Sequence, residues 1–211
     1  MTPQAIAETL KGEMLTGRLP PGTELQQVEL ADRFGVSRIP VRDALSILAA
    51  EKLVTIRRNH GASVIRLNAA EIAELYHLRL LLETDCLAAA IPRLTDADRD
   101  EIDYQLKRTN LEARRPGWSV SDWEFHRALY APAGRPIEVS LVGTLRQTCQ
   151  VHIAGYDWLT DATETWLADH AELVAACFAG DVEAAVAVLR RHLENVRDAL
   201  VAAMREKELP E

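Results

Sequence analysis

Cysteine is scarce in this sequence. Cys86, Cys149 and Cys177 are three in number among 211 residues, widely spaced and without a CxxC pair. That usage fits reduced thiols in a cytosolic protein. Long apolar runs are also lacking: none approaches the roughly 18 residues needed to cross a bilayer, so no membrane partner is expected. The opening stretch "MTPQAIAETLKGEML" has no basic region followed by an apolar one, so it does not read as a secretory signal and a cytoplasmic location is expected. No internal repeat or low-complexity segment is present. Strand signals stop at about Asn68.

What remains is a composition of 48% hydrophobic and 27% charged residues, that of a globular protein with enough chain for a proper core. The net charge of −8 is unevenly spread. Residues 1–66 hold nine Lys/Arg against seven Asp/Glu, and the rest hold 15 against 25. A mildly basic head on an acidic protein can still meet a polyanion, because the local field outweighs the total.

Within that head, Ile6, Leu10 and Met14 recur every four residues, the pattern of an amphipathic helix. Pro20, Pro21 and Gly22 break it, and helical spacing resumes with Leu25, Val28, Leu30 and Ala31. Gly35 interrupts again. A third helix is expected from about Ser37 to Ala50, with Val41, Leu45 and Leu48 inward, Ser37 as N-cap and Pro40 in the first turn. Two β-prone runs, "LVTIRR" and "ASVIRL", flank "NHG", whose Asn59 and Gly61 suit a hairpin turn. Three short helices and a hairpin make a winged helix-turn-helix. Arg38 and Arg42 then leave one face of the third helix. Two arginines at a helix start oppose its dipole, so an anionic partner is the first candidate to compensate them.

Beyond Asn68 six helical segments are expected, at 70–91, 96–113, 119–131, 135–155, 161–179 and 181–206, with Asp96, Ser119, Asp161 and Asp181 as N-caps and Gly180 as a stop. The expected fold is mainly α: a winged helix-turn-helix domain with a small β-hairpin wing over 1–66, a linker at 67–69, and an all-α six-helix bundle over 70–211. Asp122 and His126, four apart in "SDWEFHRALY", face the same way on a helix, and His170 and His192 lie in later helical segments. Three imidazoles and a carboxylate converging in a bundle would suit a divalent metal such as Zn²⁺, Ni²⁺ or Mn²⁺. Histidines so far apart are otherwise unrelated surface or core residues.

"LADRFGVSRIPVRDALSILAAEKLV" with "RRNHGASV" resembles the DNA-binding domain of GntR-type bacterial transcription regulators, over residues 5–66. The resemblance implies a recognition helix lined by Ser37, Arg38, Pro40 and Arg42, and a wing tip, His60 and Gly61, that reaches the minor groove. His60 is otherwise a polar turn residue, and Arg57 and Arg66 read as surface charges. Val28 departs from the pattern, since a relative has a DNA-contacting arginine there. Physically, Arg38 or Arg42 could grip guanine O6 and N7, while Ser37 and the helix start would hold phosphates.

"ELYHLRLLLE", "DWEFHRALYAPAGRP", "DHAELVAACFAGDVEAA" and "RRHLENV" are similar, in order, to the FCD-type helical ligand-binding domain of the FadR subfamily. Six helices rather than seven point to the VanR-like branch. The resemblance implies metal ligands at Asp122, His126, His170 and His192, and an effector-carboxylate contact at Arg79. An ion pair between Arg79 and Glu83, one turn on, is the alternative for that arginine. His77 and His152 are candidate cavity residues or surface ones, and Arg135 stands where the family commonly has Asn.

The expected function is a ligand-responsive regulator, commonly a repressor and not an enzyme. A homodimer, a palindromic double-stranded DNA operator and a small organic acid effector go with it. Two other readings remain open at this point. A metallohydrolase with an appended DNA-binding module lacks HExxH and a carboxylate placed as general base. A DNA-binding protein with a purely structural metal site would not respond to small acids.

Overall fold

The computed structural model describes residues 1–57, 61–115, 118–154 and 159–208. Residues 58–60, among them His60 and Asn59, lie outside the described residues. The chain divides into two compact units. One comprises Met1–Leu67 with Gln147–Tyr156, the other Asn68–Arg146 with Asp157–Glu211.

In the first unit, α1 (Pro3–Leu15) is capped by Thr2, whose hydroxyl accepts from the Ala5 amide, and buries Ile6, Leu10 and Met14 as the four-residue spacing requires. Helix α2 (Gln27–Phe34) ends on Gly35 at φ 64°, the left-handed C-cap geometry that glycine adopts without steric cost. It hands over to α3 (Arg38–Ala50), where Val41, Ala44, Leu45 and Leu48 form the buried stripe. Ser37 occupies the N-cap position at φ −72°, ψ 169°, but its side chain makes no cap bond, so the first-turn amides of α3 are not closed off by it.

The wing has one strand more than the sequence suggests. Strand β3 (Gly61–Val64) lies between β2 (Val54–Arg57) and β1 (Glu24–Leu25), antiparallel to both. Leu25 pairs with Ala62, and Val54 with Val64. The last turns of α7 (Pro136–Ile153) also belong to this unit: Val151 sits in its core, fully buried. Gly17, at φ 75°, approaches Ala154 so closely that a β-carbon would lie 2.4 Å from the Ala154 carbonyl oxygen.

The second unit is helical throughout its described residues, with α4 (Ala69–Ala90), α5 (Asp96–Glu112), α6 (Trp118–Tyr130), the first part of α7, α8 (Leu159–Ala179) and α9 (Val182–Glu208). Short 3₁₀ turns at Ile91–Arg93 and Ala131–Ala133 follow α4 and α6, each carrying a proline that cannot continue the ladder. Asn68 and Glu71 form a capping box on α4, and Thr95 and Asp98 form one on α5. Thr95 therefore replaces Asp96 as the cap, because only a residue one position earlier can answer the Asp98 amide. Helices α6 and α8 begin at Trp118 and Leu159, ahead of the expected caps Ser119 and Asp161. Asp181 does cap α9, its carboxylate accepting from the Ala184 amide, and Gly180 ends α8 at φ 73°. Helix α4 packs along α9, α5 on α6 and α8 on α9. Leu80, Leu87, Phe125, Leu129, Leu173 and Leu189 fill the space between them. The three cysteines are buried, and none of them forms a disulfide.

Candidate functional site

Two sites emerge, one in each unit. On the first unit, Arg38 and Arg42 project from one face of α3, opposite the buried Val41–Leu45 stripe. Arg42 keeps 65% of its side chain accessible and lies 3.4 Å from Asp43. A groove runs beside them, lined by Gln26, Val28, Arg38, Arg42, Arg57 and Gly61. Ser37 and Gly61 are exposed and Pro40 is half-buried in the first turn. Ile39 and Ile56 are exposed on the same unit, an arrangement an isolated surface would not favour. The face is thus cationic, with apolar groups beside the charges.

In the second unit the four expected ligands converge. Helix α6 supplies Asp122 and His126 one turn apart, α8 supplies His170 and α9 supplies His192. Asp122 Oδ1 lies 3.7 Å from His126 Nε2 and 3.6 Å from His170 Nε2. The three histidines each offer a nitrogen within 4.8 Å of the others. An ion bonded tetrahedrally at about 2.1 Å spaces its ligands about 3.4 Å apart, so the donor set suits one divalent cation.

The unsatisfied atoms point the same way. His126 Nε2 and both ring nitrogens of His170 are buried with no hydrogen-bond partner, which costs free energy unless something occupies the lone pairs. Burial lowers the His126 pKa well below its ordinary value and takes His170 to about 3, with nearby cations adding to it. Both rings are therefore neutral, the form that binds metal. Burial opposes ionisation of Asp122, but the Arg146 guanidinium, by its charge and its hydrogen bond, leads the groups that outweigh burial and lower the Asp122 pKa. Asp122 keeps 24% of its side chain accessible, so the centre has an opening to solvent on that side.

The groups around the ligands were not evident in the sequence. Asp169 accepts from His192 Nδ1 at 3.2 Å, which leaves His192 Nε2 as the ring nitrogen available to a ligand. Arg146 on α7 donates to Asp122 Oδ2 at 2.8 Å and to Glu83 Oε2 at 2.6 Å. Val142, Arg146, Cys149 and Ile153 are all buried at helical spacing, so an arginine on the inner stripe of α7 was the available signal. Arg79 is buried in an ion pair with Glu83, Nε to Oε1 at 2.7 Å, and its guanidinium lies 4.6 Å over the Tyr76 ring. The ion pair that was the alternative for Arg79 is thus present, and it does not remove the guanidinium from the neighbourhood of the centre. His77 is exposed. His152 is buried within the first unit, with Nδ1 bonded to the Thr148 carbonyl at 2.9 Å and Nε2 accepting from the Leu67 amide at 3.0 Å. It joins the end of α7 to the residue before Asn68. Arg135 pairs with Asp85 and Glu138 on the surface.

Sequence comparison gives these two sites a context. Residues 2–64 match the bacterial regulatory proteins of the gntR family, and residues 74–195, more than half the chain, match the FCD domain. The chain belongs to the GntR family. It is 40% identical over 103 residues to the gluconate operon transcriptional repressor of Bacillus licheniformis, a match over 49% of this chain that spans only 40% of the relative's length. An HTH-type transcriptional regulator from an unstable DNA locus of Streptomyces ambofaciens is 30% identical over 194 residues, 90% of this chain and 80% of that one. A crystal structure of a GntR transcriptional regulator from Rhodococcus sp. RHA1 shares the fold with a TM-score of 0.82 at 24% identity, over 95% of this chain and 98% of that one. The GntR relatives are transcription regulators rather than enzymes, and no described helix here is long and apolar enough to cross a membrane.

Glu83 is the charge hub of the GntR chain's helical unit. It is fully buried, and burial works against its ionisation, yet Arg146, Arg79 and the Tyr130 hydroxyl together pull its pKa from 4.5 down to about 2. A folded pKa below the unfolded one means stabilisation that is complete above pH 4.5 and lost as the pH falls toward 2. Glu83→Gln is expected to cost about 3 kcal/mol near neutral pH, where it leaves two buried guanidinium groups short of counter-charge. Near pH 2, where the native carboxyl takes up its own proton, the difference should shrink to a small fraction of that. Urea midpoints followed by tryptophan fluorescence check this, since all four tryptophans lie at or beyond position 118. A gap that stays constant with pH would contradict it.

Proposed function

We propose that this GntR chain is a ligand-responsive transcription regulator acting in the cytoplasm as a homodimer on a palindromic double-stranded operator. The winged helix-turn-helix of residues 1–66 reads the major groove with Arg38 and Arg42 on a recognition helix that Pro40 also lines, while Ser37 and the amides at the start of α3 hold phosphates and register. The wing tip, His60 and Gly61, reaches the minor groove. A single module of this kind covers a modest area, which is the physical reason for two copies on a two-fold axis.

Residues 67–69 link this domain to the helical domain of residues 70–211, where Asp122, His126, His170 and His192 hold a divalent metal ion. The observation that carries the reading is the convergence of those four side chains from α6, α8 and α9 with buried nitrogens lacking partners. The ion would supply Lewis acidity toward an oxygen of a small carboxylate. Arg79 supplies the second point of attachment, a planar fork matched to a carboxylate. Because Glu83 already occupies Arg79 Nε, the effector either shares the guanidinium or draws it away from Glu83. The effector regulates only through unequal affinity for DNA-competent and DNA-incompetent arrangements. Repression relieved by ligand is the favoured sign; one relative is named a gluconate operon repressor, which supports the repression and makes gluconate one of the acids to try.

The test is a thermal-shift screen of mono- and dicarboxylates, gluconate included, on Zn²⁺-loaded and chelator-treated protein. Each acid that raises the melting temperature then goes into a mobility-shift titration on a duplex selected from a random pool. At least one acid should stabilise the loaded protein by mass action and weaken the DNA complex, with neither effect after chelation. DNA binding that ignores every acid, alongside metal-dependent stability, would leave a purely structural metal centre.

A further inference from the structure

Between the metal-ligand histidine of α6 and the charged hub on α4 stands a tyrosine that the proposed regulator has no stated use for. Tyr130 lies one turn beyond His126 and is fully buried. Its hydroxyl oxygen is 2.7 Å from Glu83 Oε2 and 3.2 Å from His126 Nδ1. Glu83 also accepts from Arg79 on Oε1 and from Arg146 on Oε2. A carboxylate held between two guanidinium groups is ionised and can only accept.

A phenol has a single proton. With that proton directed at Glu83, the Tyr130 oxygen meets His126 with lone pairs alone, so the ring nitrogen facing it must carry the hydrogen. The reverse arrangement would set the bare phenol oxygen against a carboxylate oxygen at 2.7 Å, two acceptors with no hydrogen between them. His126 Nδ1 is thus the protonated nitrogen, and Nε2, the atom 3.7 Å from Asp122 Oδ1 and without a partner, carries the lone pair.

We infer that Tyr130 is a positioning residue for the metal centre: anchored by Glu83, it fixes His126 in the Nδ1–H tautomer and aims the Nε2 lone pair at the ion. The inference rests on the metal reading of Asp122, His126, His170 and His192. Asp169 holds His192 in the same sense, but a carboxylate can only accept, so its tautomer selection needs no intermediary. Tyr130 differs in that its direction is set by the ion-pair hub. The chain Arg79–Glu83–Tyr130–His126 also joins the proposed effector arginine to a metal ligand through three hydrogen bonds. Arg146 joins the same carboxylate to Asp122.

Two measurements on the full-length chain test this. Long-range ¹H–¹⁵N spectra of the native metal-free protein should show His126 as the Nδ1–H tautomer; an Nε2–H form would overturn the inference without any variant. Tyr130→Phe, which removes one oxygen and keeps the ring, should weaken Zn²⁺ binding about 10- to 100-fold in chelator competition. It should also let the His126 tautomers mix in the metal-free spectrum. A purely structural tyrosine would lower the melting temperature of the metal-free variant and leave both its Zn²⁺ affinity and the His126 tautomer as in the native chain; that pattern overturns the inference. If the native chain takes up no Zn²⁺ at all, the metal reading has failed, and the His126 spectrum of native and variant protein alone decides whether Tyr130 sets the tautomer.

Discussion

Arg38→Ala combined with Arg42→Ala is expected to weaken binding to a selected operator duplex by about 100-fold or more at fixed salt, with the fold unchanged. A good bidentate contact to a guanine edge discriminates by about 1–3 kcal/mol, so a single loss costs about tenfold to a hundredfold. The two residues share one helical face and one stretch of groove, so their effects need not add. Stability should hardly move, because both side chains are exposed and the buried stripe of α3 lies on the other side. The salt dependence separates two roles. If the arginines read bases, the double variant loses discrimination between the operator and a scrambled duplex while the salt slope stays near its native value. If they hold phosphates, binding weakens alike on every duplex and the slope falls by about 0.9 for every phosphate that is no longer neutralised. An affinity within threefold of native on both duplexes would remove α3 from the DNA interface.

Much of this architecture was legible because it rests on short-range periodicity. Ile6, Leu10 and Met14, and then Val41, Leu45 and Leu48, repeat at helical spacing and are buried as that spacing demands. Gly35 marked the end of α2 because a left-handed residue was needed there. Strand β1 left no such signature for the opposite reason: two residues, Glu24 and Leu25, are too few to show alternation, and their pairing with β3 is a tertiary event. The membership of Val151 in the first unit's core was equally hidden, since it depends on a contact across more than 80 positions in the chain. At the centre, the i, i+4 step from Asp122 to His126 could be read, but the approach of His170 and His192 could only be supplied by resemblance. Arg146 lies outside every quoted motif, and Tyr130 and Asp169 lie inside two of them without a role that the sequence reveals. They matter through what they touch, and hydrogen-bond direction becomes meaningful only once α4, α6, α7, α8 and α9 are in place.

The largest expected effect at the centre belongs to His126→Ala combined with His192→Ala, which should abolish stable metal binding. The pair is chosen because the two rings come from different helices and each is held in place by its own acceptor, Tyr130 or Asp169. What remains is Asp122 and His170, a two-ligand set too few for a closed or open zinc site, which uses at least three protein ligands. Native protein dialysed against Zn²⁺ and passed through gel filtration should retain about one equivalent by elemental analysis, and the double variant close to none. The thermodynamic counterpart is a linkage. An ion that binds only the folded chain adds about 2.7 kcal/mol of stability at a free concentration of 100 times its dissociation constant. Added Zn²⁺ should therefore raise the native melting temperature and leave that of the variant unmoved. The metal-free comparison has its own sign. Removing two buried imidazoles leaves cavities, which destabilise, but it also removes the buried unpartnered Nε2 of His126, whose desolvation the metal-free protein bears uncompensated. The metal-free variant should consequently lose less stability than two buried ring deletions elsewhere in the core, while the gap between the metal-loaded proteins widens by the full linkage energy. A double variant that keeps its equivalent of metal would place the ion somewhere other than between α6, α8 and α9.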